Sequence, residues 1–322
     1  GQYHSLAISA QGTLYSWGWG VHGQLGHGSA ENVFVPKKVK ALKTKKIVSA
    51  VGGYSHSLAL DSNGIVYSWG SSDFGQLGFG NKKKHSIPKP LVCLNKKIEH
   101  ISGSYFHNLA VTEKPQKLYI WGCNPYQIRN AVHNIIKKSP KFQNHTDQSI
   151  EQTLGYLSPR LIPIVLQENE SIIKISTGVA HSALLTSRGK LYTWGRGSLG
   201  QLGLSFQKEV LEPTRVLQLE DYHVIDIASG FDFTLAIDNE GDLWGFGQNL
   251  GLLSVNTINS SHAKLVSVDK ERKTGQDKSH HIMSFISRIT QNDYLAFKIN
   301  FTSNQDDYLQ KVMDSIMDLN QF

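Results

Sequence analysis

The sequence predicts an all-β fold, a β-propeller of four-stranded blades, and three recurring features predict it. The segment Leu14-Tyr15-Ser16-Trp17-Gly18 returns as Val66-Tyr67-Ser68-Trp69-Gly70, as Leu118-Tyr119-Ile120-Trp121-Gly122 and as Leu191-Tyr192-Thr193-Trp194-Gly195. A fifth copy, Leu243-Trp244-Gly245-Phe246-Gly247, puts Phe in the Trp place. Successive copies are 52, 52, 73 and 52 residues apart, so one interval carries 21 extra residues. Thirteen residues before the Trp stands a His: His4, His56 and His181, with His107 one residue further away and Phe233 in the fifth copy. Nine residues after the Trp comes the last glycine of Gly23-Gln24-Leu25-Gly26, Gly75-Gln76-Leu77-Gly78 and Gly200-Gln201-Leu202-Gly203. Self-similarity at a period near 50 residues is the mark of a repeat architecture.

Each unit reads as β. Ser5 to Ile8 and Leu14 to Trp17 are short apolar runs separated by the turn Gln11-Gly12. The matching turns are Asp61-Ser62-Asn63-Gly64, Ser187-Arg188-Gly189 and Asp238-Asn239-Glu240-Gly241, where Gly supplies the positive φ of a tight hairpin. Two more short strands precede each His within the unit, around Pro36 to Val39 and Ile47 to Val51, and around Pro213 to Val216 and Val224 to Ala228. Four strands per unit of this length is a propeller blade. No helix-period segment separates the strands, which excludes a βαβ fold.

Composition agrees. The chain has 322 residues, 39% apolar and 18% charged, enough to bury a full core. Disordered, coiled-coil and collagen-like chains are excluded. Two cysteines, Cys93 and Cys123, cannot form a disulfide framework, and both are expected to be buried in or beside strands. That points to a reducing, intracellular setting, cytoplasmic or nuclear. No apolar run is long enough to span a bilayer. The chain opens on Gly1 and in mid-unit, which reads as a piece of a larger polypeptide.

The net charge of +7 is unevenly spread: residues 1–140 carry 17 Lys+Arg against 5 Asp+Glu, and residues 141–322 carry 16 against 21. Runs at Lys37-Lys38, Lys43 to Lys46, Lys82-Lys83-Lys84 and Lys96-Lys97 offer a basic patch that could steer an acidic partner. The bland alternative is solvated loop tips.

These repeats resemble the regulator of chromosome condensation family, whose propeller unit combines Gly-x-x-His-Ser-Leu-Ala, Trp-Gly and Gly-Gln-Leu-Gly. The resemblance covers roughly residues 1–255. It implies a ring of six or seven blades, five of them clear here, with a degenerate sixth running from Ala263 through Phe301. The propeller is thus expected over 1–302. Residues 303–322 place Leu309, Val312, Met313, Ile316 and Leu319 at helical spacing behind the capping signal Ser303-Asn304-Gln305-Asp306, a C-terminal helix or linker.

Several motifs carry no chemistry. Gly18-Trp19-Gly20-Val21-His22-Gly23 and Gly195-Arg196-Gly197-Ser198-Leu199-Gly200 fit Gly-x-Gly-x-x-Gly, but no helix follows to meet a pyrophosphate. They are loop glycines. His4, His56, His107 and His181 stand one per unit, too far apart for a metal site, and are read as structural, each bonded to a backbone carbonyl or loop of its own blade. Trp17, Trp69, Trp121 and Trp194 are read as structural too. No nucleophile elbow, P-loop or paired carboxylate stands out, so no catalytic residue, cofactor or metal is expected.

The third interval is the informative irregularity. After Trp121-Gly122 the Gly-Gln-Leu-Gly motif is absent and an insertion spans about 129–156. Tyr126, Arg129, Lys137, Lys138, Lys141 and Phe142 mix basic and aromatic character, and a blade does not need them to close. Insertions on a rigid scaffold commonly carry function, so these are the candidate partner-binding residues. The expected function is a protein-interaction scaffold or regulatory propeller, monomeric, binding another protein. Guanine-nucleotide exchange on a small GTPase is the alternative that the resemblance implies. Chromatin, histone or nucleic-acid binding through the basic half is a third, and the lack of an aromatic stacking platform counts against it.

Overall fold

The computed structural model describes residues 1–122, 157–248 and, as backbone, 259–265. They form five antiparallel sheets arranged as propeller blades. Blade 1 holds β1 (His4–Ile8), β2 (Leu14–Gly18) and β3 (Val33–Lys38). Blade 2 holds β4 (Ile47–Gly52), β5 (His56–Asp61), β6 (Val66–Gly70) and β7 (His85–Pro90). Blade 3 holds β8 (Ile98–Gly103), β9 (His107–Thr112), β10 (Leu118–Gly122) and β11 (Arg160–Ile162). Blade 4 holds β12 (Ile172–Thr177), β13 (His181–Thr186), β14 (Leu191–Gly195) and β15 (Val210–Arg215). Blade 5 holds β16 (Val224–Ser229), β17 (Phe233–Asp238), β18 (Leu243–Gln248) and β19 (Asn259–Leu265). The inner strands β4, β8, β12 and β16 pack on one another around the axis.

The hairpins form for the reason the turn residues suggest. Asp61 Oδ1 accepts from the backbone N–H groups of Asn63 and Ile65, at 3.0 and 2.9 Å, and Gly64 takes φ +79°. Asp238 repeats this with Glu240 and Asp242, and Gly241 takes φ +84°. A short acidic side chain closes the turn locally and glycine alone meets the left-handed position cheaply. The outer strands β3, β7 and β15 carry Pro36, Pro88, Pro90 and Pro213. Proline withholds a ladder donor, so it suits an edge strand and discourages edge pairing.

Three expectations need correction. The sequence unit groups the strand near Pro36 to Val39 with Ile47 to Val51. In the structure β3 pairs with β2 and closes the preceding blade, whereas β4 opens the next. The same holds for β15 and β16. The repeat therefore straddles two blades, because an outer strand precedes its neighbour's inner strand in sequence. Second, Ala263 does not open a sixth unit, since β19 hydrogen-bonds to β18 as the outer strand of blade 5. Third, Cys93 is exposed in the loop after β7 rather than buried. The rest of the expected sixth unit, residue 123, the 129–156 insertion and the 303–322 helix lie outside the described residues.

The core lies between blades. Trp121 packs with Leu58, Leu60 and Val66 of blade 2, with Leu91 of the linker that follows and with Ile98 of its own blade. Phe246 does the same with Leu185, Leu191, Val216 and Leu219. Trp69 and Trp121 are fully buried and Trp194 nearly so, but Trp17 is only half-buried. Trp69→Ala is expected to destabilise the fold by about 3–5 kcal/mol through lost burial and the cavity left behind. Urea unfolding checks this. Trp17→Ala, at a half-buried site, should cost clearly less in the same titration.

Candidate functional site

Register places every recurring motif on one face of the disc. β5 begins at His56 and β6 ends opposite it at Gly70, where β7 begins at His85. Turns 53–55 and loop 71–84 therefore share this loop face. Hairpin 61–65 and linker 91–97 share the opposite, turn face. The same pairing recurs from His4 with Gly18, His107 with Gly122, His181 with Gly195 and Phe233 with Gly247.

The histidines bond across blades. His4 Nε2 reaches Ser57 Oγ at 2.8 Å, and His56 Nε2 reaches Asn108 Oδ1 at 2.8 Å. His107 Nε2 meets Ser182 Oγ at 3.0 Å and His181 Nε2 meets Thr234 Oγ1 at 2.9 Å. The partner is in each case the residue after the next blade's His or Phe. This corrects the expected bond within a blade: the Nε2 side of each ring points at the neighbouring sheet. Ser57 Oγ donates onward to the Gln24 carbonyl at 2.8 Å, Asn108 Nδ2 to the Gln76 carbonyl at 2.9 Å and Thr234 Oγ1 to the Gln201 carbonyl at 2.9 Å. Those groups spend their protons on carbonyls, so they accept from His4, His56 and His181, whose Nε2 carries hydrogen.

The Gln-Leu-Gly loops supply the carbonyls. The Gln24, Gln76 and Gln201 side chains accept from the N–H of His22, Phe74 and Leu199, which holds each loop in place. Trp69 Nε1 then donates to the Gln24 carbonyl at 2.8 Å and Trp121 Nε1 to the Gln76 carbonyl at 3.0 Å. The closing glycine lies against the same ring: a Cβ on Gly26 would sit 2.8 Å from Trp69 Nε1, and one on Gly203 2.9 Å from Phe246. In the two glycine-rich triplets, a Cβ on Gly20 would lie 1.9 Å from the Glu31 carbonyl and one on Gly197 2.1 Å from the Lys208 carbonyl, so these glycines let the loop backbone pack closely. Among the described residues no group of three or more His, Cys, Asp or Glu could hold a metal ion.

Burial keeps the histidines neutral. It pushes His56 and His107 down to about 4, His181 to about 3 and His4 well below its ordinary value. A unique ring position comes from glycine: a Cβ on Gly53 would lie 2.0 Å from His56 Cε1.

The loop face also carries what sequence reasoning missed. Tyr3 stacks edge-on against Trp19 at 5.4 Å and Tyr54 at 6.1 Å, and Trp19 meets His22 at 5.2 Å. Tyr54 lies 5.7 Å from Tyr105 and 5.6 Å from Phe106. Phe106 touches Phe74 at 4.7 Å, and Tyr105 touches Phe231 at 5.4 Å. Eight rings from four blades thus form one belt beside the central opening, with Tyr3 49% and Phe231 38% exposed. The sequence shows no aromatic platform, and these rings form one on the loop face. They sit one or two residues before the repeat His, or just after the Trp-Gly, and their varied type hid the shared position.

Other groups gather at the rim. Lys82, Lys83 and Lys84 lie in the same loop as Phe74, where Asn81 Oδ1 accepts from the Lys83 N–H at 2.8 Å. Gln201 Nε2 donates to the buried Asp232 at 2.9 Å, with the Arg196 guanidinium 4.0 Å away. Burial raises the Asp232 carboxyl above its usual range. β10 ends on this face at Gly122, opposite His107. Tyr126, Arg129, Lys137, Lys138, Lys141 and Phe142 lie outside the described residues.

The repeat model "Regulator of chromosome condensation (RCC1) repeat" matches residues 11–60, 63–111 and 188–237, and a second model of the same description matches 47–76 and 172–201. The ultraviolet-B receptor UVR8 of Arabidopsis thaliana is 30% identical over 301 residues, covering 83% of this chain and 68% of that protein. The chain belongs to the RCC1-repeat family. The X-linked retinitis pigmentosa GTPase regulator homolog of Caenorhabditis elegans is 31% identical over 77% of this chain, which spans 19% of that relative. Xenopus laevis protein RCC2 homolog is 31% identical over 76% of this chain, which spans 48% of it. Among solved structures, Prp20p of Saccharomyces cerevisiae superposes with a TM-score of 0.65 at 20% identity, over 89% of this chain and 70% of that one. Human WBSCR16 gives 0.65 at 22% identity, over 83% and 66%. At these identities the superpositions establish the propeller fold.

Acid is expected to weaken this RCC1-type propeller. A His held at about 4 when folded binds fewer protons than the unfolded chain, where it titrates near 6.5. Its contribution is therefore complete above about pH 6.5 and is lost as pH falls toward about 4. His56 alone should cost about 2 kcal/mol between pH 7.5 and pH 5. Urea midpoints at the two pH values test this, and His56→Gln should remove that share of the pH dependence.

Proposed function

We propose that this chain is a regulatory propeller domain that binds another protein through its loop face, in the cytoplasm or nucleus. The observation that carries this reading is the aromatic belt on the loop face, where β10 ends at Gly122. Partly exposed, contiguous aromatic surface rimmed by polar groups has the composition of interaction hot spots. The opposite face offers lysine-bearing linkers and turns instead. The proposal extends to the insertion residues Tyr126, Arg129, Lys137, Lys138, Lys141 and Phe142 as second contacts.

Guanine-nucleotide exchange on a small GTPase is the narrower reading. It is supported by the relative described as a GTPase regulator homolog and by the structure of Prp20p, reported with its binding to Gsp1p and histones. An exchange factor needs a protruding element on a rigid face, and it acts by binding the nucleotide-free GTPase more tightly than the loaded one. Nucleic-acid or histone binding would draw on Lys82, Lys83 and Lys84 and fall steeply with salt.

Affinity capture with the whole chain, with and without EDTA, separates these readings. The expected result is a partner lost, by about tenfold or more in affinity, on Tyr3→Ala/Phe231→Ala with thermal stability unchanged. Exchange further predicts that GDP release from an EDTA-enriched GTPase slows when 129–156 is replaced by a short Gly-Gln-Leu-Gly loop. A partner indifferent to both changes would place the site elsewhere.

A further inference from the structure

The turn face carries opposite charge on its two sides. Linker 39–46, between blades 1 and 2, holds Lys40, Lys43, Lys45 and Lys46 and no acid. Linker 91–97, between blades 2 and 3, adds Lys96 and Lys97, again with no acid. The next two linkers reverse the sign. Linker 163–171 holds Glu168 and Glu170, linker 216–223 holds Glu220 and Asp221, and neither has a lysine or arginine. Hairpins join the four linkers into one surface. The Ser62 N–H donates to the Lys46 carbonyl at 2.8 Å and the Glu113 N–H to the Lys97 carbonyl at 2.9 Å. The Ser187 N–H donates to the Ser171 carbonyl at 2.8 Å and the Asn239 N–H to the His223 carbonyl at 2.9 Å.

Most of these charges are exposed and unspent. Lys40, Lys43, Lys46, Lys96, Glu168 and Asp221 are all exposed, and among the described residues none of them makes an ion pair. Only Glu220 is well paired, with Arg215 at 2.7 Å and Lys190 at 3.3 Å. Aliphatic tips stand in the same linkers: Val92 is 79% exposed, Val165 90% and Leu217 71%. Val48 and Ile173 are exposed where two of the linkers reach the axis. Exposed apolar side chains framed by charge mark an interaction surface.

We infer that the turn face of one copy docks on the turn face of a second copy as a two-fold homodimer. The blades follow in order around the axis, β4 packing on β8, β8 on β12 and β12 on β16. A two-fold axis along the radius of blade 3 sets each linker against its mirror position. Linker 91–97 then faces linker 163–171 of the second copy, and linker 39–46 faces linker 216–223. Lysines meet acids in both pairings, each occurring twice by symmetry, and Val92 meets Val165. Blade 3 meets itself, and its hairpin 113–117 carries both signs, Glu113 with Lys114 and Lys117. A nucleic acid or an anionic bilayer would use the lysines alone and be repelled by the acidic side. A second copy uses both sides, because a two-fold interface must be complementary to itself. This inference concerns the face opposite the aromatic belt, does not depend on partner binding there, and replaces the monomer expected from the sequence.

Sedimentation equilibrium of the whole chain at low and high salt tests it. The expected result is a dimer at low salt whose affinity falls about tenfold or more in high salt, as screening removes the charge pairing. Two variants reverse exposed charges: Lys43→Glu/Lys96→Glu and Glu168→Lys/Asp221→Lys. Each alone should be monomeric, since like charges then face each other, with the unfolding temperature unchanged. Mixed in equal amounts the two should form a heterodimer, because each reversed side meets its complement. A chain that stays monomeric at low salt, up to protein concentrations of about 0.1 mM, would overturn the inference. So would a dimer indifferent to either reversal, or variants that fail to combine on mixing. A dimer lost on Tyr3→Ala/Phe231→Ala but not on charge reversal would put the contact on the loop face and overturn it too.

Discussion

The structure depends on one hydrogen-bond relay, seen at three blade junctions, that leaves a blade, passes through the next and returns to the first. A neutral His donates to the hydroxyl or amide of the following blade, which passes its own proton to a Gln carbonyl of the blade it came from. The Trp of the following blade donates to the same carbonyl in two of these junctions. Two directional bonds and one buried ring thus fix the angle between adjacent sheets. Apolar packing alone would hold the sheets together without choosing that angle. The relay requires neutral imidazoles, and burial supplies them.

The blade and its hairpins were legible because glycine, aspartate and tryptophan act locally there. Gly64 and Asp61 close a turn from within five residues, so spacing alone identifies it. The relay was not legible in the same way. His56 and Asn108 stand 52 residues apart, and only the stacking of one sheet on the next brings them together. The blade boundary failed for a related reason. β3 and β4 are neighbours in sequence, but a short linker carries the chain from the rim of one blade to the axis of another. The aromatic belt was hidden differently, since Tyr3, Tyr54, Tyr105, Phe106 and Phe231 share a place in the fold but not a residue type or a fixed offset.

That contrast separates scaffold from surface. Positions that repeat with one identity, such as His56, Trp69, Gln76 and Gly78, all point into blade junctions and are buried or enclosed. Positions that vary between units lie on the loop face or in the linkers of the turn face. A scaffold held by interior bonds leaves both faces free to change, so function resides in those side chains and not in the motif that reveals the fold.

The third junction shows how the two requirements meet. Blade 3 has the insertion where its neighbours have Gly-Gln-Leu-Gly, so that motif cannot provide the carbonyl that Trp69 and Trp121 use. Among the described residues Trp194 Nε1 has no partner. Yet the junction keeps its His107–Ser182 bond and adds Ser102 Oγ with Thr177 Oγ1 at 2.9 Å and Ser104 Oγ donating to the Gly178 carbonyl. Ile175, Leu184 and Trp194 of blade 4 pack there on Leu109, Val111 and Leu118 of blade 3. Polar contacts near the axis thus offset the loss further out. The junction between blades 3 and 4 is thus held without the Gly-Gln-Leu-Gly sequence that blades 1, 2 and 4 share.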